Sequence, residues 1–86
     1  MTAAEARKFV KKLSGGQRFG QYAMGGEWSL DYLADQDRYQ LRSVAPDSQG
    51  AAKIEILTAA ELENLLEEKY YNYDQMVKRL QPARTG

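Results

Sequence analysis

The chain has 86 residues, and its twelve basic and twelve acidic side chains give a formal net charge of zero. This length allows one domain with a modest core, and a neutral chain creates no overall field that would attract nucleic acid or a membrane. The sequence contains neither cysteine nor histidine, which excludes disulfides, thiolate metal sites and the Ser–His and Cys–His nucleophile pairs.

A first helix is predicted near the N-terminus. Thr2 and Glu5 have the spacing of a capping box. Glycine easily adopts the left-handed conformation that closes a helix, so we expect the helix to stop at Ser14, with Gly15 in that conformation. The apolar residues between these ends share one helical face: Ala6, Phe9, Val10 and Leu13.

The middle of the chain predicts an antiparallel meander of three or four strands. Trp28, Leu30 and Tyr32 alternate with polar residues, as in a half-buried strand. Glycine tolerates the positive φ of tight hairpin turns, so Gly25-Gly26 is expected to form one. The other strand candidates are 17–24, 38–44 and 53–57, and the other connections are expected at 34–37 and 46–50.

Helical spacing returns in the last third of the chain. Thr58 and Glu61 form a second capping box, and apolar residues keep the helical period up to Leu80. The segment is either one helix over 59–80 or two helices with a break at Tyr71-Asn72. We expect the break, because Asn72 followed by Gln75 can cap a new helix.

Together these elements predict an α+β fold. An N-terminal helix, a three- to four-stranded antiparallel meander and one or two C-terminal helices would form a two-layer sandwich. The single domain is expected to span 1–81, with a frayed tail at 82–86. Charges interrupt the first thirteen residues, and no apolar run reaches the roughly 20 residues of a membrane span. A soluble, cytoplasmic protein without a membrane partner is therefore expected.

One short stretch, Leu13-Ser14-Gly15-Gly16-Gln17-Arg18, resembles the signature motif of ATP-binding-cassette ATPases. The resemblance implies amides at the start of a helix that face a γ-phosphate, where the helix dipole is positive. Here the motif follows a predicted helix, and the chain lacks a G-x-x-x-x-G-K-[ST] loop. We interpret the two glycines as a helix stop and predict no nucleotide and no other cofactor.

Carboxylates are the remaining candidates for catalysis or metal binding. Asp35 and Asp37 carry oxygen ligands, but they lack the further ligands and the closing glutamate of a calcium loop. Aspartates are also common in turns. A carboxylate-based hydrolase is left as a distant alternative. We predict that the protein is not an enzyme and holds no metal.

The first helix has a basic face that favours one alternative function. Arg7, Lys8, Lys11 and Lys12, with Arg18 nearby, form a patch that could meet phosphates. The order helix, meander, helix is similar to that of double-stranded-RNA-binding domains, although their G-x-G-x-S-K-K-x-A-K run is missing. The simpler interpretation is a solvated helix face. RNA or DNA binding is therefore the alternative hypothesis.

The leading hypothesis is a small non-catalytic protein-interaction domain, an adaptor, inhibitor or accessory subunit of a larger cytosolic assembly. Acidic residues cluster in the meander and on the second helix, and segregated charge suits docking onto another protein or a homodimer. Tyr70 and Tyr73 are expected in the core, which leaves Tyr71 exposed. The expected partner contacts are Tyr71, Trp28, Arg7, Lys8, Lys11, Lys12 and Arg18.

Overall fold

Helices cover one face of an antiparallel sheet in the computed structural model, which describes residues 1–23, 26–45, 51–70 and 72–82. This arrangement confirms the predicted α+β class. The elements in chain order are α1 (Ala3–Ser14), β1 (Gln17–Ala23), β2 (Gly26–Leu33), β3 (Arg38–Val44), β4 (Ala52–Leu57), α2 (Ala59–Lys69), α3 (Tyr73–Val77) and β5 (Leu80–Pro82).

Within the described residues the sheet has five strands in the order β4-β3-β2-β1-β5, so β4 and β5 form its edges. The meander β1 to β4 follows the prediction, whereas β5 was not predicted. Leu80 was expected to continue the helical stripe, but α3 ends at Val77 and Leu80 pairs with Phe19 of β1. Pro82, placed in the predicted tail, pairs with Gln17. An edge strand accepts proline because half of its amides need no partner strand.

Helix α1 begins and ends where the sequence predicts. The Glu5 amide donates to Thr2 Oγ1 at 3.1 Å and the Thr2 amide donates to Glu5 Oε1 at 2.9 Å, which completes the capping box. The Gly15 amide donates to the Lys11 carbonyl at 2.9 Å and closes the last turn. The left-handed conformation that the sequence predicts for Gly15 occurs one residue later, since Gly15 has φ −83° and Gly16 has φ 110°.

The C-terminal helical segment is broken, as expected. Helix α2 ends at Lys69, and the Asn72 side chain accepts a hydrogen bond from the Gln75 amide at 3.2 Å to start α3. The predicted exposure of Tyr71 lies outside the described residues. Tyr70 and Tyr73 are half-buried against the core, in agreement with the prediction.

Of the three predicted connections between strands, the turn at 34–37 is confirmed. Residues 34–37 form a turn in which the Gln36 amide donates to the Leu33 carbonyl at 3.1 Å. Asp37 has φ 51° there, a conformation that aspartate tolerates better than most residues. Gly26, which was predicted in a turn, belongs to β2 and pairs with Ala23. Gly25 and the predicted loop 46–50 lie outside the described residues.

The core lies between the helices and the sheet. Phe9 of α1 and Phe19 of β1 are fully buried, and their rings meet edge to face with centroids 5.7 Å apart. This geometry is favourable for aromatic pairs. The four predicted core positions of α1 are all buried, and the other buried residues are Leu30, Tyr39, Leu41, Leu62, Leu66 and Met76.

The second capping box should make stability depend on pH. Glu61 accepts a hydrogen bond from the Thr58 amide at 2.9 Å, and this bond, with the Thr58 side chain and the positive charge of Arg38, lowers the pKa of Glu61 below its model-compound value of 4.5. The ionised form is therefore favoured in the folded state. Its contribution to stability is present above pH 4.5 and is lost as the pH falls through the lower, folded-state pKa.

Glu61→Gln is expected to flatten the acid side of the stability profile, because glutamine keeps the hydrogen bond of the capping box and does not titrate. Denaturant unfolding at pH 7 and at pH 3 measures the effect. Glu68→Gln removes one carboxylate from an exposed position of the same helix and is the matched control. Equal acid sensitivity of the wild type and Glu61→Gln would contradict this assignment.

Candidate protein-interaction surface

The two faces of the sheet differ because helices cover one of them. Cross-strand partners share a face, so one buried row runs from Phe19 through Leu30 to Leu41. The row continues to Glu55 at the β4 edge. The alternate positions point the other way, onto what we call the open face: Arg18, Glu27, Ser29, Asp31, Gln40, Arg42, Val44, Ile54 and Ile56.

The centre of the open face is polar and paired. Arg18 donates from Nε to Asp31 Oδ1 at 3.0 Å, and Arg42 forms an ion pair with Glu27. Each pair joins neighbouring strands, and all four side chains are partly exposed. Partly exposed ion pairs add little to stability. They leave this part of the face with balanced charge.

The β4 edge of the open face is apolar. Ile54 and Ile56 are 55% and 47% exposed, and they are the exposed large hydrophobic residues of the described chain. Beside them, Val44 of β3 pairs with Ala52 of β4 on the same face. We call Ile54 and Ile56 the isoleucine pair. It forms an apolar border to the ion-paired centre of the face.

In a half-buried strand the apolar side chains usually face the core and the charged ones face solvent; in β4 the two sets are exchanged. Its isoleucine pair points to the open face, while Lys53 and Glu55 lie on the helix-covered side with Nζ and Oε1 3.1 Å apart. Burying an aliphatic side chain fully is worth about 1.5 to 3 kcal/mol. Within this chain the isoleucine pair gains only part of that free energy, so its apolar surface is available to another molecule.

Trp28, which was expected to contact a partner, packs within the domain. Its ring lies 4.9 Å from Phe19 and 4.7 Å from Tyr70, measured between centroids. It also lines a pocket of about 240 Å³ together with Gln21 and Tyr70. Burial raises the pKa of the Tyr70 hydroxyl. The ring of Trp28 therefore joins the sheet to the end of α2, and its exposed part faces the pocket.

The predicted basic patch is divided by the fold. Arg18 lies on the open face, whereas α1 covers the opposite face through Phe9 and Phe19. Arg7 Nε lies 3.8 Å from Glu63 Oε1 of α2. The basic face of α1 and the acidic face of α2 therefore form an ion pair with each other inside the chain. Lys8, Lys11 and Lys12 remain together on α1. Tyr71 lies outside the described residues.

Sequence reasoning missed the isoleucine pair as a candidate contact. The sequence predicts a strand over 53–57, and charged and apolar residues alternate in Lys53-Ile54-Glu55-Ile56. Alternation shows that the isoleucines share a face, but the pairing register decides which face that is. Here Tyr39, a buried residue, pairs with Leu57, and this register turns Ile56 outward.

Two further features of the described residues bear on function. They contain no cluster of three or more acidic side chains placed to hold a metal ion. No helix among them has both the length and the apolar character that a bilayer crossing requires. In comparisons with known proteins, no family model, no curated protein and no solved structure matches the chain.

Proposed function

We propose that this chain is a non-catalytic protein-interaction domain, which serves as an adaptor, inhibitor or accessory subunit of a larger cytosolic assembly. The observation that carries the proposal is the exposure of Ile54 and Ile56 on the open face. A sequence without histidine or cysteine lacks the commonest general base and the strongest side-chain nucleophile, which favours binding over catalysis.

The β4 side of the open face combines the two components of a protein-binding surface, an exposed apolar patch and charged side chains beside it. Interfaces combine an apolar centre, which loses its water on binding, with a polar rim that stays hydrated. The isoleucine pair supplies the apolar part; Arg42 of β3 lies opposite Ile54, and its ion-pair partner Glu27 lies on β2. The ion pair can reorganise towards a partner's charges, because its side chains are partly exposed. The partner is therefore expected to present an apolar patch bordered by charged groups.

Nucleic-acid binding is the weaker alternative. It was based on five cations, of which Arg7 and Arg18 face carboxylates and Arg18 lies on the other side of the sheet. Three lysines of α1 remain for phosphate contacts: Lys8, Lys11 and Lys12. Each phosphate contact adds to the salt dependence of binding, so three contacts would give weaker binding and a shallower salt slope than five.

The double variant Ile54→Lys/Ile56→Lys is expected to lose the binding partner while the domain stays folded, because both side chains are exposed. The measurement is quantitative affinity capture from the source cells, with wild type, this variant and Lys8→Glu/Lys11→Glu compared under the same conditions. Circular dichroism confirms the folded state of each variant. The proposal is supported by a protein that binds to the wild type and to Lys8→Glu/Lys11→Glu but is at least tenfold depleted with Ile54→Lys/Ile56→Lys, the isoleucine variant.

Two outcomes would overturn the proposal. One is that the same proteins bind equally to the wild type and to the isoleucine variant. The other is that capture depends on Lys8 and Lys11 and disappears after nuclease treatment, which would favour the nucleic-acid alternative. Capture at rising salt separates these cases further, since phosphate-based binding falls steeply with ionic strength.

A further inference from the structure

The outer edge of β4 is a second notable feature of the same strand. Strand β4 lies at the end of the sheet order and, within the described residues, pairs with β3 alone. An edge strand presents backbone amides and carbonyls that can pair with a strand from another chain. Charged side chains at such an edge discourage pairing with arbitrary strands. Lys53 and Glu55 therefore make the edge selective.

The order of these two charges selects a particular partner strand. Lys53 and Glu55 already form an ion pair within the strand, and an antiparallel neighbour is favoured when it adds a carboxylate opposite Lys53 and an amine opposite Glu55. A second copy of β4 does so when the two strands pair about Ile54. In that register Ile54 lies opposite the partner copy's residue 54, and Lys53 lies opposite its residue 55. Opposite charges in direct cross-strand pairs are favourable, and the two-fold symmetry forms this pair twice.

Other symmetric registers are less favourable. Pairing about residue 53 would put two ammonium groups directly opposite each other, and pairing about residue 55 would oppose two carboxylates. Like charges in direct cross-strand pairs are destabilising. Pairing about Ile56 would reduce the overlap of the two strands and leave Lys53 opposite a residue beyond β4, which ends at Leu57. The register about Ile54 combines matched charges with an overlap of residues 52–56, all but the last residue of β4.

We propose that two copies of this chain pair through β4 in the antiparallel register centred on Ile54 and form one continuous sheet. The inference deepens the proposed function, on which it rests, because it assigns a second copy as a partner of the same strand. The open faces of both copies then lie on the same side of the sheet. The isoleucine pairs of the two copies meet there in one apolar strip, which remains open to a further partner.

The pairing makes a sharp prediction for engineered disulfides, since the natural chain has no cysteine. Opposed residues of an antiparallel pair have Cα atoms about 4.5 to 5.5 Å apart, within the range of about 4.4 to 6.8 Å that a disulfide spans. Ile54→Cys is therefore expected to form a disulfide-linked dimer under mild oxidation. Ile56→Cys is the matched control, because the two copies of residue 56 would lie about 13 Å apart along the strands.

Charge reversal tests the register without a cross-link. Lys53→Glu alone gives a strand with two carboxylates, and Glu55→Lys alone gives a strand with two ammonium groups. Each variant alone should dimerise about tenfold more weakly, because two attractive pairs per dimer become repulsive. An equimolar mixture of the two variants should dimerise as the wild type does. Light scattering after size exclusion, over a concentration series, measures each association.

The proposal is supported by a wild-type species of twice the 9.8 kDa chain mass, rapid cross-linking of Ile54→Cys but not of Ile56→Cys, and recovery of dimers in the mixture. It is overturned if the wild type remains monomeric at millimolar concentration or if both cysteine variants cross-link equally. Either failure would leave the capture result for Ile54→Lys/Ile56→Lys intact, so it is distinguishable from failure of the proposed function.

Discussion

Phe19→Ala is expected to destabilise the domain by about 3 to 5 kcal/mol, the usual cost of truncating a buried aromatic residue to alanine. Phe19 is fully buried, and its ring makes edge-to-face contacts with Phe9 of α1 and with Trp28 of β2. The substitution leaves a cavity where α1 packs onto the sheet. Because domains of this size have only about 5 to 15 kcal/mol of stability, a large part of it should be lost.

Urea unfolding followed by circular dichroism measures this loss. Ile54→Ala is the control, since it removes an aliphatic side chain that is 55% exposed and should cost less than about 1 kcal/mol. If Phe19→Ala were no more destabilising than Ile54→Ala, the position of the core between α1 and β1 would be wrong.

Trp28→Ala is expected to cost about 2 to 4 kcal/mol, somewhat less than a fully buried aromatic residue because part of the ring faces the pocket. The substitution removes the tilted ring contact with Tyr70 and the edge contact with Phe19. Partner capture at a temperature where the variant remains folded should be unchanged, since Trp28 lies on the helix-covered face. Trp28→Phe keeps an aromatic ring and should recover more than half of the lost stability.

This prediction separates two roles for Trp28. The sequence predicts a partner contact, and in the structure the partly buried ring packs against the core. Loss of partner capture with unchanged unfolding in urea would contradict the packing role and return Trp28 to the candidate contacts.

The sequence predicts best what local chemistry determines. Thr2 with Glu5, and Thr58 with Glu61, form capping boxes because a hydroxyl and a carboxylate three residues apart satisfy the free amides of a first helical turn. The break before α3 follows from the side chain of Asn72 in the same way. None of these features depends on a distant part of the chain, so the local pattern is sufficient.

Features that depend on tertiary pairing were harder to predict. Leu80 fits the helical spacing of its neighbours, but pairing with Phe19 draws it into β5. Arg18 lies four residues beyond the end of α1 in sequence, yet strand alternation turns it to the opposite face from the lysines of that helix. The exposure of Ile54 depends on register in the same manner.

The most direct test of the account is hydrogen–deuterium exchange of the chain alone and with its captured partner. The central claim is that the β4 side of the open face binds other proteins. The account predicts that the partner slows amide exchange in β4, at residues 52–57, and leaves exchange in α1, at residues 3–14, unchanged. Slower exchange confined to α1, with β4 unchanged, would contradict it.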